Sequence, residues 1–404
     1  MATTLRVSLR PALKRDPPAG LPCLPLLELH GPRVCMGGAC GSDGLAVPVK
    51  PDATTFFGPR GACLMGDHGP LWVCDTGHHR LLGWRRMPGG DNVAADWVIG
   101  QPDFLHEGRN AKRSAGAATL NVPTGITPCG DGIAVADAWN HRVLIWNTQP
   151  RDHNVPADVV LGQQDFVSAD SNRGQREASA ASLFWPYGVH WDGARLWVAD
   201  TGNRRVLMWH GPPRHNGQPA ELVLGQKDFA TRDENGGGAP TASSMRWPHG
   251  IALWAGRLCV ADAGDNRIMV WRGVPDRNNA PCDWMLGQEA FHQVDHNQAL
   301  YWPTAGSLNM PYGIASSGNW LIGADTANSR LLAWHIDDCS SGASARALSG
   351  QPDFAAKGDN RWQLPVRDSL CWPYGVTARN GLAIISDSGN NRIMIWRLAA
   401  EVAP

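Results

Sequence analysis

Six pairs of short apolar runs recur along the chain at a spacing of 62 or 63 residues. The first run of each pair ends in aspartate, as in LWVCD or LIGAD, and an arginine follows five residues later. The second run starts at that arginine and ends in tryptophan, as in RVLIW. The aspartates are Asp75, Asp137, Asp200, Asp262, Asp325 and Asp387; the arginines are Arg80, Arg142, Arg205, Arg267, Arg330 and Arg392; the tryptophans are Trp84, Trp146, Trp209, Trp271, Trp334 and Trp396. Two such runs joined by a short polar turn predict an antiparallel hairpin.

Two further patterns predict strands between successive hairpins. An apolar run closes in Gly-Gln after each of the first five hairpins, at Gly100, Gly162, Gly225, Gly287 and Gly350. After a longer polar stretch, a Pro-x-Gly segment opens another apolar run, as in WPYGV or VPTGI. Four short antiparallel strands repeated six times predict an all-β fold, a six-bladed β-propeller, because circular closure protects the sheet edges that an open array would expose.

The two ends of the chain indicate how the ring closes. The sixth hairpin ends at Trp396, near the C-terminal Pro404, so the sixth blade lacks its outer strand. Residues 33–36, in the segment RVCMGG, precede the first Pro-x-Gly segment by nearly the usual distance. We therefore predict that they supply the missing strand. Residues 33–404 would form one propeller and residues 1–32 an N-terminal extension.

Five long segments join the outer strand of one blade to the inner strand of the next. They are residues 105–121, 167–184, 230–246, 292–309 and 355–371. In an up-and-down blade these segments share one side of the disc with the Asp–Arg hairpin turns and the Pro-x-Gly segments. We call this side the loop face and the opposite side the turn face. Loops of this length are usually functional or disordered.

The hairpin turns carry a family motif. They read D-x-x-N-x-R, with Asn140, Asn203, Asn328 and Asn390 at the fourth position and His78 and Asp265 in its place in blades one and four. This motif resembles the NHL repeat, and its combination with G-Q-x-D-F, a long loop and P-x-G is similar to long bacterial NHL repeats. The resemblance implies a propeller; the family includes protein-binding and RNA-binding platforms, and related propellers include lyases and lactonases. The chain also looks like the NHL propellers that accompany nitrogenase genes in nitrogen-fixing bacteria, which implies a metalloprotein partner.

Composition narrows the class of partner. The 404 residues are 43% hydrophobic and 18% charged, with a net charge of −1. This balance, and loops that mix basic with acidic residues, argue against nucleic acid as a partner. No apolar run reaches the roughly 18–20 residues that cross a bilayer, and prolines interrupt the N-terminal segment, so we predict a cytoplasmic protein with no membrane partner. The ten cysteines lack repeated spacings, which favours reduced thiols.

The repeated residues are predicted to be architectural, since an active site needs one asymmetric constellation and not one copy in each blade. Positions that differ between blades are better candidates for a site. At the middle of Pro-x-Gly, near the mouth of the channel, stand Arg60, Thr124, Tyr187, His249, Tyr312 and Tyr374. Such a ring could bind an anion or a peptide, or it could be hydrogen-bonded packing of the channel.

Metal and enzyme sites have weaker signals. His78, His79 and His141, near Trp139 at two hairpin tips, could ligate zinc, but exposed turn histidines are the favoured alternative because no HxxxH or CxxC accompanies them. Cys35 and Cys40 have a spacing that a metal site could use, without a second pair nearby. His249 and the more distant His190 do not reproduce the zinc site of propeller lyases, and no inward acidic set reproduces the calcium site of lactonases. We predict no catalytic residue, no metal and no cofactor.

These observations predict a non-catalytic scaffold whose loop face binds another protein. The candidate binding residues are the ring members Arg60, Tyr187, His249, Tyr312 and Tyr374, and the tryptophans Trp139, Trp185, Trp247, Trp302 and Trp372. A nitrogenase component, bound during assembly, storage or protection, is the specific partner that the resemblance implies. The alternative is a propeller enzyme, a lyase or hydrolase, with its site at the channel mouth.

Overall fold

The computed structural model describes residues 23–38 and 50–404. These residues fold into six antiparallel blades of four strands each, which confirms the predicted six-bladed propeller. We number the strands in chain order. The inner strands, which surround the axis, are Gly61–Leu64 (β3), Pro123–Cys129 (β7), Pro186–Trp191 (β11), Pro248–Trp254 (β15), Pro311–Ser317 (β19) and Pro373–Arg379 (β23).

The remaining strands follow outward in each blade. The second strands are Leu71–Asp75 (β4), Gly132–Asp137 (β8), Arg195–Asp200 (β12), Arg257–Asp262 (β16), Trp320–Asp325 (β20) and Leu382–Asp387 (β24). The third strands are Arg80–Trp84 (β5), Arg142–Trp146 (β9), Arg205–His210 (β13), Arg267–Val270 (β17), Arg330–His335 (β21) and Arg392–Arg397 (β25). The outer strands of blades one to five are Trp97–Ile99 (β6), Val159–Leu161 (β10), Leu222–Leu224 (β14), Trp284–Leu286 (β18) and Ala347–Ser349 (β22). The paired apolar runs therefore form the second and third strands, as predicted.

The N-terminal segment closes the ring. Val34–Gly37 (β2) pairs antiparallel with β25 and becomes the outer strand of blade six, which confirms the predicted closure with a shift of one residue. Leu24–Pro25 (β1) adds a fifth strand to blade five, parallel to β22. Of the predicted extension, residues 23–32 thus lie against blades five and six, and residues 1–22 lie outside the described residues.

Short 3-10 turns shape the loop face. Those at the hairpin tips are Ala138–Asn140, Thr201–Asn203, Ala263–Asp265, Thr326–Asn328 and Ser388–Asn390. Those in the long loops are Arg109–Lys112, Ser171–Gly174, Glu234–Gly237, His296–Ala299 and Asp359–Trp362; one more, Ile336–Asp338, lies on the turn face. The two sets are joined by side-chain amides, for example Asn172 Nδ2 to Asn203 Oδ1 at 2.9 Å. This pairing explains the asparagine of D-x-x-N-x-R. No helical segment in the described part of the chain has the length and apolar character to cross a membrane.

The six Asp–Arg pairs are buried inside the hairpins. Each arginine Nε donates to the aspartate Oδ2 over 2.6 to 3.1 Å, and both side chains are fully buried. The other aspartate oxygen accepts a backbone N–H from the segment before Pro-x-Gly, as Asp200 does from Phe184 at 2.7 Å. Breaking such a buried pair by removing one partner costs about 3–5 kcal/mol. The pairs therefore hold each long loop to its blade.

Apolar side chains fill the wedges between blades. Leu81 and Ile99 of blade one, for example, pack with Ile133 and Val135 of blade two. The repeated tryptophans lie at the outer part of these wedges, and each indole N–H donates to a backbone carbonyl. In blades one to five the acceptor is nine residues further along, as for Trp84 to Val93 at 2.9 Å. In blade six Trp396 donates instead to Glu28, over 2.8 Å, so the N-terminal segment takes the place of the missing loop.

Candidate binding site at the channel and the loop face

Glycine allows the six inner strands to meet closely at the axis. A Cβ atom added to any Pro-x-Gly glycine would lie within 2.8 Å of the carbonyl oxygen that belongs to the middle residue of the next blade's motif. Gly125 faces Tyr187 in this way, Gly250 faces Tyr312, and the contacts continue around the circle. Real Cβ atoms do not approach oxygen so closely. The glycines thus bring the six middle residues together into one ring.

The ring of middle residues closes the channel on the loop face. His249 lies between Tyr187 and Tyr312, with ring centroids 4.2 and 4.3 Å away, and Tyr374 lies 4.6 Å beyond Tyr312. Tyr187 and Tyr312 approach to 5.8 Å although blade four separates them. The Arg60 guanidinium completes the circle, 4.6 Å from the Tyr374 ring and 5.6 Å from that of Tyr187. The side chains are in mutual contact across the axis.

Arg60 is the cation of this ring. Its guanidinium is partly buried and has no carboxylate within ion-pairing distance among the described residues. Contact with an aromatic face contributes about 0.5–2 kcal/mol. That is less than the several kcal/mol that an ion loses when it is fully removed from water. The protein therefore leaves the positive charge of Arg60 without a compensating negative charge.

The other polar groups of the ring are neutral. His249 Nδ1 donates to the Trp247 carbonyl over 2.7 Å, which fixes the proton on that nitrogen. Burial lowers the pKa of His249 to about 3, and the nearby Arg60 acts in the same direction. Burial raises the pKa of Tyr312 to about 12 and also raises the pKa of Tyr187. At neutral pH the ring therefore carries the single charge of Arg60.

A cavity of about 290 Å³ extends from this ring along the axis. Its lining contains no aspartate or glutamate among the described residues. His190 lies in its wall, and burial lowers the pKa of this imidazole to about 4. Arg379 stands at the opposite end on the turn face and is paired with Asp67 at 3.2 Å. The rest of the wall consists of apolar side chains, threonines, Ser316, Cys63 and backbone.

The structure exposes the predicted tryptophans of the loop face to different degrees. Trp139 and Trp372 are 44% and 49% exposed. Trp185, Trp247 and Trp302 are half-buried. Arg109 lies over the Trp139 ring at 5.0 Å. The channel ring and these tryptophans lie on the same side of the disc, and the ring side chains contact one another.

Exposed apolar side chains also cluster on the loops of blades five and six, and of these only Trp372 was among the predicted binding residues. We call this cluster the loop patch: Leu300, Tyr301, Trp362, Leu364, Val366 and Trp372. Trp362 is 69% exposed and Tyr301 56%. The segment RWQLPV, apolar within an otherwise polar loop, is the departure from the repeat that could have indicated it.

The comparisons with known proteins agree with this architecture. A family model described as NHL repeat matches residues 245–271, which contain the inner strand and the hairpin of blade four. This repeat and the six-bladed architecture together fit an NHL-repeat β-propeller family. No curated protein sequence matches it.

Solved structures resemble this NHL-repeat β-propeller in fold. A Bacteroides thetaiotaomicron protein of unknown function is 12% identical, with a TM-score of 0.50, over 90% of this chain and 74% of that one. Kuenenia stuttgartiensis hydrazine synthase is 10% identical, with a TM-score of 0.48, over 89% and 99% of the two chains. Staphylococcus aureus virginiamycin B lyase is 10% identical, with a TM-score of 0.44, over 85% and 96%. At these identities the likeness to the Bacteroides protein bears on the fold alone.

The hairpin-tip histidines of the NHL-repeat propeller are not exposed turn residues, so this interpretation was wrong. His78 is fully buried, with Nδ1 2.8 Å from Asp75 Oδ2, at the position where four other blades have asparagine. His79 and His141 each accept a backbone N–H of the next blade at 3.0 Å, from Val122 and Trp185. These histidines adopt left-handed φ and reach across the blade boundary, as Asn266 does towards Met310. Within residues 23–38 and 50–404 no three histidine, cysteine or carboxylate side chains are grouped to hold a metal ion.

The cysteines of this propeller are mostly single buried thiols. Cys63, Cys74, Cys129, Cys259 and Cys282 are buried and free. Burial raises the pKa of the Cys63 thiol to about 12, which keeps it protonated and unreactive. Cys35 is disulfide-bonded, an exception to the reduced thiols that the scattered spacing favoured. The proposed partner of Cys35 in a metal site, Cys40, lies outside the described residues.

Proposed function

We propose that this NHL-repeat propeller is a non-catalytic scaffold and that its loop face binds another protein through the loop patch. The observation that carries the proposal is the concentration of large exposed apolar side chains on two adjacent loops of one face. Scattered exposed apolar residues are ordinary, whereas a contiguous group marks an interaction site. Aromatic anchors surrounded by charged residues are the usual composition of a protein interface.

The loop patch is continuous across the two loops. Lys357 Nζ lies 3.9 Å from the Tyr301 ring centroid and donates to the Tyr301 carbonyl over 2.6 Å. The adjacent Gly358 lies directly beneath the Trp362 indole, with no space for a Cβ atom. Lys357 therefore bridges the loop that carries Leu300 and Tyr301 to the loop that carries Trp362 and Leu364.

The loops that carry the patch are held by buried hydrogen bonds. Asn360 Nδ2 donates to Asn390 Oδ1 over 3.0 Å, and Ser369 Oγ donates to Asn360 Oδ1 over 2.7 Å. Ser329 Oγ donates to Asp359 over 2.8 Å and accepts the Trp372 N–H at 3.2 Å. A preformed surface binds without the cost of ordering its loops. The blade-six part of the patch therefore has a fixed shape, which supports a role as a binding surface.

Charged pairs stand at the border of the patch. Arg361 contacts Asp368 at 2.8 Å, and Arg367 contacts Asp91 at 2.5 Å. All four side chains are partly exposed, so these pairs add little stability. They match the polar rim that surrounds the apolar centre of an interface.

The more specific hypothesis is that the partner is a nitrogenase component. This hypothesis rests on the sequence resemblance. The alternative, a propeller enzyme with its site at the channel mouth, would have to use the histidines and tyrosines of the cavity lining, such as His190 and His249, for acid–base chemistry.

Affinity isolation with matched variants tests the proposal. Tagged wild-type protein, Trp362→Ser and Val167→Ser are isolated from the native host under anaerobic, reducing conditions. Val167 is 67% exposed, like Trp362, but it lies on the loop between blades two and three, across the ring from the loop patch, and serves as the control. We expect a protein that is retained by wild type and by Val167→Ser and is lost at least tenfold with Trp362→Ser. Equal retention by all three proteins, or no retained protein, would contradict the proposal. A purified nitrogenase component added to the three proteins tests the specific partner.

A further inference from the structure

The axial cavity lies outside the surface just proposed, and its chemistry differs from that of the loop patch. We infer that it binds a small organic monocarboxylate, which enters from the turn face and pairs with Arg60. The site does not depend on the loop patch or on a protein partner.

The charges of the cavity favour a monoanion. Arg60 stands at its closed end, without a carboxylate partner among the described residues. Arg379 at the open end is engaged by Asp67. One cation that the protein does not neutralise matches one negative charge. A guanidinium presents a planar set of N–H donors that fits a carboxylate through two parallel hydrogen bonds.

An unpaired polar atom in the wall is a second, independent indication of a ligand. His190 Nε2 is buried and has no hydrogen-bond partner among the described residues. Buried polar groups are nearly always paired, with protein or with a bound molecule. A neutral imidazole can carry its proton on this nitrogen and donate it. The cavity thus offers a cation at its end and a donor in its side wall.

The geometry determines both the route of entry and the size of the ligand. The contacts among Tyr187, His249, Tyr312 and Tyr374 close the axis on the loop face, so the cavity opens towards the turn face, where Arg379 is exposed. A volume of about 290 Å³ suits a small molecule, at the lower end of the range for ligand sites. The closed end is built of aromatic rings, which favours a flat ligand body beside the carboxylate.

Benzoate is a suitable probe, because it is a flat monocarboxylate, and benzamide is its neutral counterpart of similar shape. Calorimetric titration in low-chloride buffer at pH 7 measures both ligands, and inorganic phosphate, against the full chain. The variants are Arg60→Gln and Arg379→Gln, with circular dichroism to establish that each is folded. Arg379→Gln removes the charge at the open end and leaves Arg60 in place.

We expect benzoate to bind wild type at least tenfold more tightly than benzamide or phosphate does. Arg60→Gln should weaken benzoate binding at least tenfold, which is the loss expected for one charged hydrogen bond. Arg379→Gln should change the affinity for benzoate less than threefold. Should Arg60→Gln not fold, the benzoate-to-benzamide ratio in wild type carries the test. Binding of benzamide as tight as that of benzoate, tighter binding of phosphate, or no benzoate binding at 10 mM would each overturn the inference. Loss of protein binding by Trp362→Ser has no bearing on this result.

Discussion

Replacing Asp265 by asparagine should stabilise the protein above pH 7 and leave its stability nearly unchanged near pH 4. In four of the other five blades, an asparagine at this position donates to the buried aspartate, as Asn203 does to Asp200 Oδ2 at 2.7 Å. An ionised Asp265 has no proton to donate to Asp262. The two carboxylates lie side by side, and Arg267 pairs with both of them. The Arg267–Asp262 distance is 3.1 Å, against 2.6 to 2.7 Å in the other blades. Blade four is therefore electrostatically strained.

The magnitude follows from the protonation of Asp265. Burial, followed by the charge of Asp262, raises the pKa of Asp265 to about 7, above the value near 4 of an unfolded chain. A folded state that holds the proton more tightly is favoured below about pH 4, and this advantage is lost as the pH rises to about 7. This rise in the pKa from near 4 to about 7 corresponds to roughly 4 kcal/mol in the free energy of unfolding. Asparagine keeps the donor at every pH but removes one contact of Arg267. We expect a gain of about 2–4 kcal/mol at pH 8.

Denaturant unfolding of wild type and Asp265→Asn at pH 4.5 and pH 8 measures this effect. The matched control is Asn203→Asp, which introduces the same carboxylate into blade three and should lower the free energy of unfolding at pH 8 by a similar amount. Both variants should approach wild type as the pH falls to 4.5. A change in stability that is the same at both pH values, in either variant, would refute the electrostatic explanation.

The remaining predictions concern the ring, its closure and the two proposed sites. Gly188→Ala places a methyl group against the His249 carbonyl and should lower the free energy of unfolding by about 3 kcal/mol or more. Gly89 has open space around it, so Gly89→Ala should unfold within about 0.5 kcal/mol of wild type. Thermal or denaturant unfolding measures both variants. Met36→Asp places a charge on the closing strand at a position that is 1% exposed, and it should lower the free energy of unfolding by at least about 3 kcal/mol. Met36→Leu should lower it by less than about 1.5 kcal/mol. Equal effects of the two changes would mean that β2 does not seal the ring. Trp362→Ser should abolish partner retention in affinity isolation, and Arg60→Gln should weaken benzoate in calorimetry, as described above.

The sequence was sufficient for features that depend on side-chain pattern. The paired apolar runs that meet at Asp75 and Arg80 identified the hairpins, and the interval before Pro59 identified the closing strand to within one residue. The short parallel strand Leu24–Pro25 was missed, because pairing of two residues leaves no periodicity to detect. The contact of Trp396 with Glu28 was missed because its acceptor is a backbone carbonyl, which any residue supplies.

The candidate site was predictable only where it lies on the repeat. The middle residues of Pro-x-Gly could be listed from the sequence, but their contact across the axis depends on how closely the glycines let the strands approach. His141 was misread because a turn residue with left-handed φ can direct its side chain to the next blade, and a single hairpin motif does not show that direction. Trp362 was missed because the loops differ in sequence, so no repeat marks its position.

The bond between Trp396 and Glu28 has a consequence for biosynthesis. The two residues are 368 positions apart, and a ribosome adding about 5–20 residues per second makes the second about 20–70 s after the first. During that time β2 has no partner, and each newly completed blade presents an uncovered edge to the cell. A nascent propeller of this kind is therefore an early client for holding chaperones, and a translational pause anywhere between Glu28 and Trp396 would prolong its exposure.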